Sequence, residues 1–203
     1  MALGFGRVGF AVARKSGEEN RRNVLEVATR LFYQRGIRAV GMDTVVKECG
    51  VGNATIYRQF PTKDALATAF VQGRADAWFE RMRQVAGERD DAREKLTAVF
   101  EVLAGDTAGA TYRGCPMLNT NTEFPEGNHP AHLVAAAHKQ QVRDWFQSLA
   151  ADAGAQDPGE LAEELLIVLN GAYATGAVLD GARYGKRALN LARRLVDDAC
   201  TQR

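Results

Sequence analysis

Residues 42–60 read MDTVVKECGVGNATIYRQF, and their pattern decides the fold. Met42, Val45, Val46 and Cys49 recur at the spacing of one face of a short helix. Gly50-Val51-Gly52 breaks that period. Asn53 to Phe60 resumes it, with Ile56 and Phe60 inward. Pro61 ends the segment, because the residue before a proline is steered away from helical backbone angles. Two short helices around a glycine-containing turn read as a helix-turn-helix. The outward face of the second helix offers Asn53, Ala54, Thr55, Tyr57, Arg58 and Gln59. Small or hydrogen-bonding side chains suit a helix that enters a DNA major groove about 12 Å wide. Asn and Gln can pair with adenine edges, Arg with guanine or phosphate, and Thr and Tyr with phosphates. The competing reading is a helical hairpin whose outer face is merely solvated.

Upstream, Ser16-Gly17-Glu18-Glu19 fits a capping box that opens a helix. Val24, Leu25, Ala28, Leu31 and Phe32 give it one apolar stripe, and Gly36 ends it. Downstream, helical periodicity continues over about 62–86, 91–104 and 130–153, with a short helix over 115–124 inside an irregular stretch. Asp157-Pro158-Gly159-Glu160 combines an N-cap, a proline at the first helical position and a glutamate at the third. It opens a helix to about Leu179. A last helix is expected from Lys186 to Thr201. Strand signals are scarce, so the chain is expected to be all-α. The expected organisation is a disordered leader over 1–15, a helix-turn-helix domain over 16–61 and a helical domain over 62–203.

Charge follows the same division. The whole chain of 203 residues has a formal net charge of +1. Its first 66 residues carry 11 Lys and Arg against 6 Asp and Glu, and the remainder carries 15 against 19. A basic head on an acidic body suits a polyanion at one end only. Cys49, Cys115 and Cys200 are too few and too scattered for a disulfide framework or a zinc site, so a cytoplasmic protein is expected. No unbroken apolar run reaches the 18 or so residues of a membrane span, so no membrane association is expected.

Residues 20–66 resemble the DNA-binding region of the tetracycline-repressor-like (TetR/AcrR) transcriptional regulators. Ala28, Leu31, Phe32 and Gly36 match the first part of that family's pattern. Gly50, Val51, Thr55, Tyr57, Phe60, Lys63 and Leu66 match the second. The resemblance implies an N-terminal three-helix DNA-binding domain, followed by a helical ligand-binding and dimerisation domain. It implies a homodimer that binds a palindromic double-stranded operator, most often as a repressor, and is released by a small, largely apolar effector. By position, it assigns DNA contact to Asp43, Thr44, Asn53, Ala54, Thr55, Tyr57, Arg58 and Gln59, with Lys63 on a phosphate. Gly41 and Gly52 depart from the pattern, which has Ser or Thr there. Asp43 is anionic on a DNA-facing turn, so it reads a cytosine amine or points away. Arg7, Arg14, Lys15, Arg21 and Arg22 form either an arm for a groove or a solvated tail.

The resemblance implies a pocket without naming its walls. Residue types suggest Trp78, Phe100, Tyr112, Cys115, Met117, Asn119, Phe124, His138, Trp145 and Tyr173, with Asn121 as a further polar candidate. For the dimer interface, the last two apolar helices suggest Leu161, Leu165, Val168, Leu169, Ala172, Leu191 and Leu195. His129, His132 and His138 fit no common metal-ligand spacing and are read as capping and pocket residues, so no metal or cofactor is expected. Cys115 reads as a redox sensor or as a small apolar residue, and Cys49 as core. Enzyme motifs such as GxSxG, HExxH and the phosphate-binding P-loop are missing, and no enzyme is expected.

Overall fold

The first helix starts on the expected capping box. The Ser16 hydroxyl accepts the Glu19 N–H at 3.1 Å, and the Glu19 carboxylate accepts the Ser16 N–H at 2.7 Å. The computed structural model describes residues 16–201, and among them lie nine α-helices and no strand. The head comprises α1 (Gly17–Arg35), α2 (Met42–Cys49) and α3 (Asn53–Gln59). Helix α4 (Lys63–Gly87) leads into the body of α5 (Ala92–Thr107), α6 (Pro116–Glu123), α7 (Pro130–Asp152), α8 (Pro158–Val178) and α9 (Gly181–Cys200).

In the head, Val24, Ala28, Leu31 and Phe32 of α1 pack over Val45 of α2 and Ile56 of α3, all buried. Each such Leu, Ile or Phe contributes about 1.5–3 kcal/mol through its removal from water. Gly50 ends α2 in the left-handed region, with φ 64° and ψ 21°, which explains the glycine in the turn. Arg21 lies over the Phe60 ring at 4.3 Å and donates to the Gln59 carbonyl at 3.0 Å. It therefore ties α1 to the end of α3. Arg22 is exposed, while Arg7, Arg14 and Lys15 lie outside the described residues, as does the expected leader.

In the body, α9 packs on α5 and α8, α7 packs on α8 and α4, and α6 bridges α4 and α7. One apolar core runs from the head into the body, joined where Phe32 meets Phe70 edge to face at 5.6 Å. Two helix bounds differ from expectation. Helix α5 continues to Thr107, and α9 starts at Gly181, five residues before Lys186. Asp180 caps α9 by accepting the Arg183 N–H at 3.0 Å. A Cβ at Gly181 or Gly185 would collide with Thr107, and one at Gly185 would stand 2.8 Å from the Ala104 Cα. These glycines permit close approach of α9 to α5; they do not break the helix.

Helix α8 bears on two expectations. Averaged over its length it is apolar enough to cross a membrane, although no unbroken apolar run is. Its inner face accounts for much of that apolarity, because Leu161, Leu165, Leu169 and Ala172 are buried inside the chain itself. They are therefore not available to a partner, contrary to their expected place in a dimer interface. Val168 and Leu195 are half-buried, and Leu191 is exposed. The outer stripe of α8 instead shows Ile167 at 70% and Val178 at 80% exposure, with exposed Gly171 and Ala174 between them. That 4-3-4 spacing is a continuous helical face.

Candidate nucleic-acid interface and internal cavity

The turn between α2 and α3 holds the recognition candidates at the surface because the apolar side of each helix is pinned inward. Asp43, Asn53, Ala54, Tyr57 and Arg58 are exposed, while Thr44, Thr55, Gln59 and Lys63 are half-buried. Neither Gly41 nor Gly52 supplies a side-chain cap. Asp43 sits in the first turn of α2, where the helix dipole favours an anion. Lys63 donates to the Arg38 carbonyl at 3.1 Å, which holds its ammonium against the head. Two further N–H groups of that ammonium remain to meet a phosphate.

Behind the head, a cavity of about 310 Å³ opens between α4, α7, α8 and the segment before α6. Of the expected lining residues, Trp78, Tyr112, Cys115, Met117, His138 and Tyr173 lie on its wall. Phe100, Phe124 and Trp145 do not. Phe100 is fully buried and stacks on Phe146 at 6.2 Å, so it belongs to the core. Phe124 stacks on His129 at 4.0 Å between α6 and α7. Trp145 stands behind Trp78, edge to face at 6.2 Å. Asn119 lies on a second cavity of about 410 Å³ beside α1 and α6, and its amide donates to the Arg113 carbonyl. Asn121 is exposed.

The cavity wall also carries charge that residue-type reasoning passed over. Arg74, Arg81, Asp106 and Lys139 line it, together with Tyr33 from α1. The signal was present in α4: Arg74 and Arg81 stand four residues before and three after Trp78, on one helical face. Arg81 pairs with Asp106 through both carboxylate oxygens, at 2.9 and 2.8 Å. Lys139 donates to the Asn170 side chain at 2.7 Å. Trp78 Nε1–H donates to the Tyr173 hydroxyl at 3.1 Å, and the Tyr112 hydroxyl donates to the Tyr173 carbonyl at 2.8 Å. Burial holds both tyrosine hydroxyls well above their usual pKa, so they stay protonated. Burial, reinforced by the Lys139 charge, pushes His138 down to about 4, so its ring is neutral at pH 7.

The three histidines do not converge. His129 caps α7 by accepting the Ala131 N–H, His132 donates to the Phe124 carbonyl at 2.9 Å, and His138 faces the cavity.

Tyr33 joins the two regions. Its hydroxyl donates to the Gly114 carbonyl at 3.2 Å and accepts the Arg113 N–H at 3.0 Å, both on the segment before α6. Next to it, the Glu123 carboxylate accepts the Arg38 backbone N–H at 2.6 Å. Gly36, at φ 90°, leaves room for that carboxylate, whose oxygens stand 3.4 Å from where a Cβ would be.

A helix-turn-helix head carried on an all-helical body with an internal cavity defines a DNA-binding transcriptional regulator. Comparison with known proteins narrows the class. Residues 24–70 match the family model for the bacterial regulatory proteins of the tetR family. The family model, the curated regulators and the solved structures all support a TetR-family transcriptional regulator. The chain is 29% identical to a TetR-family regulator from Streptomyces coelicolor, whose crystal structure superposes with a TM-score of 0.87 over 91% of this chain and 97% of that one. It is 26% identical to the helix-turn-helix regulator YjdC of Escherichia coli, over 74% of this chain and 80% of that protein. A putative regulator from Saccharomonospora viridis, solved in complex with choline, is 25% identical, with a TM-score of 0.70 over 89% of this chain and 95% of that one. These relatives are transcriptional regulators, and the class is not enzymatic.

Proposed function

We propose that the chain is a cytoplasmic, effector-responsive repressor that binds a palindromic operator as a homodimer. Asp43, Thr44, Asn53, Ala54, Thr55, Tyr57, Arg58, Gln59 and Lys63 form the DNA-facing surface. Two chains pair through the outer stripe of α8, from Ile167 to Val178, with Leu191 of α9 alongside. Exposed apolar side chains on a straight helical face gain most by covering one another. Pairing of this kind sets two recognition helices about 34–36 Å apart, one turn of duplex.

The observation that supports effector control is the placement of Tyr33. It belongs to α1 of the head, yet its ring lines the cavity and its hydroxyl grips residues 113 and 114. A molecule that fills the cavity therefore presses on a residue of the DNA-binding head. It lowers operator affinity to the extent that it binds the released arrangement more tightly than the DNA-bound one.

The test is selection of binding sites from a random duplex pool, followed by gel shift on the enriched sequence. An inverted repeat is expected, with affinity falling steeply as salt rises. The double substitution Thr55→Ala with Tyr57→Ala should weaken binding at least ten-fold while sedimentation still reports a dimer. Unchanged affinity in that variant sinks the assignment of the recognition face.

A further inference from the structure

We propose that the cavity takes a compact aromatic anion, such as an aromatic carboxylate, and that Arg74 receives its negative charge. This inference deepens the effector reading above and rests on it.

Charge around the cavity is unbalanced. Arg74, Arg81 and Lys139 face it against the single carboxylate of Asp106. Arg81 already holds Asp106 through both oxygens. Lys139 is met by the neutral Asn170 amide and lies 5.8 Å over the Tyr173 ring, so its charge is uncompensated. Arg74 has no carboxylate partner among the described residues. Its Nε is buried and makes no hydrogen bond, and its guanidinium lies 5.2 Å over the Tyr33 ring. A buried donor on a cation is unfavourable when unpaired and strengthens any anion it meets. A guanidinium also matches the planar fork of a carboxylate better than an ammonium does.

A second polar atom points the same way. His138 is 4% exposed, lines the cavity, and has a buried Nδ1 with no hydrogen-bond partner. Arg74 and His138 thus offer two unused polar positions on one cavity wall.

The remaining wall is aromatic. Trp78, Tyr112 and Tyr173 use their polar ends on one another and on the backbone, which leaves ring surface for a ligand. A volume of about 310 Å³ suits a ligand of one or two fused rings. A quaternary ammonium such as the choline of the Saccharomonospora relative would here meet Arg74 and Lys139, two like charges, and no free carboxylate. An anion on Arg74 competes with the Tyr33 ring for the guanidinium, so binding acts directly on α1.

The experiment is isothermal titration calorimetry of the full-length protein with benzoate, 2-naphthoate and indole-3-acetate, each beside its primary amide, and with choline. At least one carboxylate is expected to bind once per chain, ten-fold or more tighter than its amide, and choline is expected not to bind. In Arg74→Gln the carboxylate should fall to the level of the amide, whereas Arg74→Lys should keep at least a three-fold preference. Circular dichroism establishes that both variants are folded, and the carboxylate-to-amide ratio of the unaltered protein needs no variant. Equal binding of acid and amide, or tighter choline binding, overturns the anion inference; a preference that survives Arg74→Gln overturns the assignment to Arg74; each leaves effector control standing. Failure of all seven compounds to bind overturns both readings of the cavity.

Discussion

The head and the cavity wall solve opposite problems. In the head, Leu31, Ile56 and Phe60 are at most 1% exposed, and the polar residues of α3 turn outward. Around the cavity, a guanidinium Nε and an imidazole Nδ1 are buried without partners beside an open volume. Close-packed groups resist change, whereas unmet polar groups beside space have something to gain from a newcomer. Close packing therefore lies in the helix-turn-helix head, and unsatisfied polar groups lie along the cavity. Tyr33 and Glu123 cross from one region to the other.

The largest effect that would sharpen this contrast is on the head core. Phe32→Ala should destabilise the protein by about 3–5 kcal/mol in urea unfolding, since its ring is buried and packs edge to face on Phe70. A loss below about 1 kcal/mol would break the claim that the head is the tightly packed region.

Next comes acid. His138 is held neutral in the folded chain and titrates there near 4, against 6.5 when free. The unfolded chain therefore binds the extra proton first, and stability falls as pH drops from about 6.5 to about 4. The full difference is on the order of 3 kcal/mol. His138→Gln should remove that part of the acid loss, as read by chemical unfolding at pH 7 and pH 4.5. An unchanged pH dependence would show that the cavity wall is wetter than its burial implies.

The smallest effect on stability is expected at the junction. Tyr33→Phe removes two hydrogen bonds, at about 1 kcal/mol each. It should leave duplex affinity nearly unchanged and weaken effector-induced release several-fold in a gel shift. Full release in that variant would mean that the two regions communicate by another route.

How much of this was legible in the sequence depended on how local the signal is. The helix-turn-helix is written in adjacent residues: Gly50 fits a left-handed turn, and Ile56 and Phe60 repeat at helical spacing. The faces of α8 were not legible, because a helix apolar on several sides does not reveal which side meets its own chain. Leu161 and Leu165 look like interface residues until α9 and α7 cover them. The start of α9 was expected at Lys186, five residues late, because glycine is a weak helix former, whereas Gly181 and Gly185 let α5 come close. Arg74, Arg81 and Lys139 were passed over because charged residues on a long helix usually mark its solvated side. Only the meeting of α4 with α7 and α8 turns that side inward.

Trp78 has a consequence for anyone who handles this protein. The chain holds two tryptophans, and Trp78 and Trp145 stand perpendicular with ring centres 6.2 Å apart. One of them forms part of the cavity wall and donates to Tyr173. Nearly all the intrinsic emission of the molecule therefore originates within a few ångströms of the place where a signal would arrive. The protein is its own optical gauge of occupancy, readable without a dye or label.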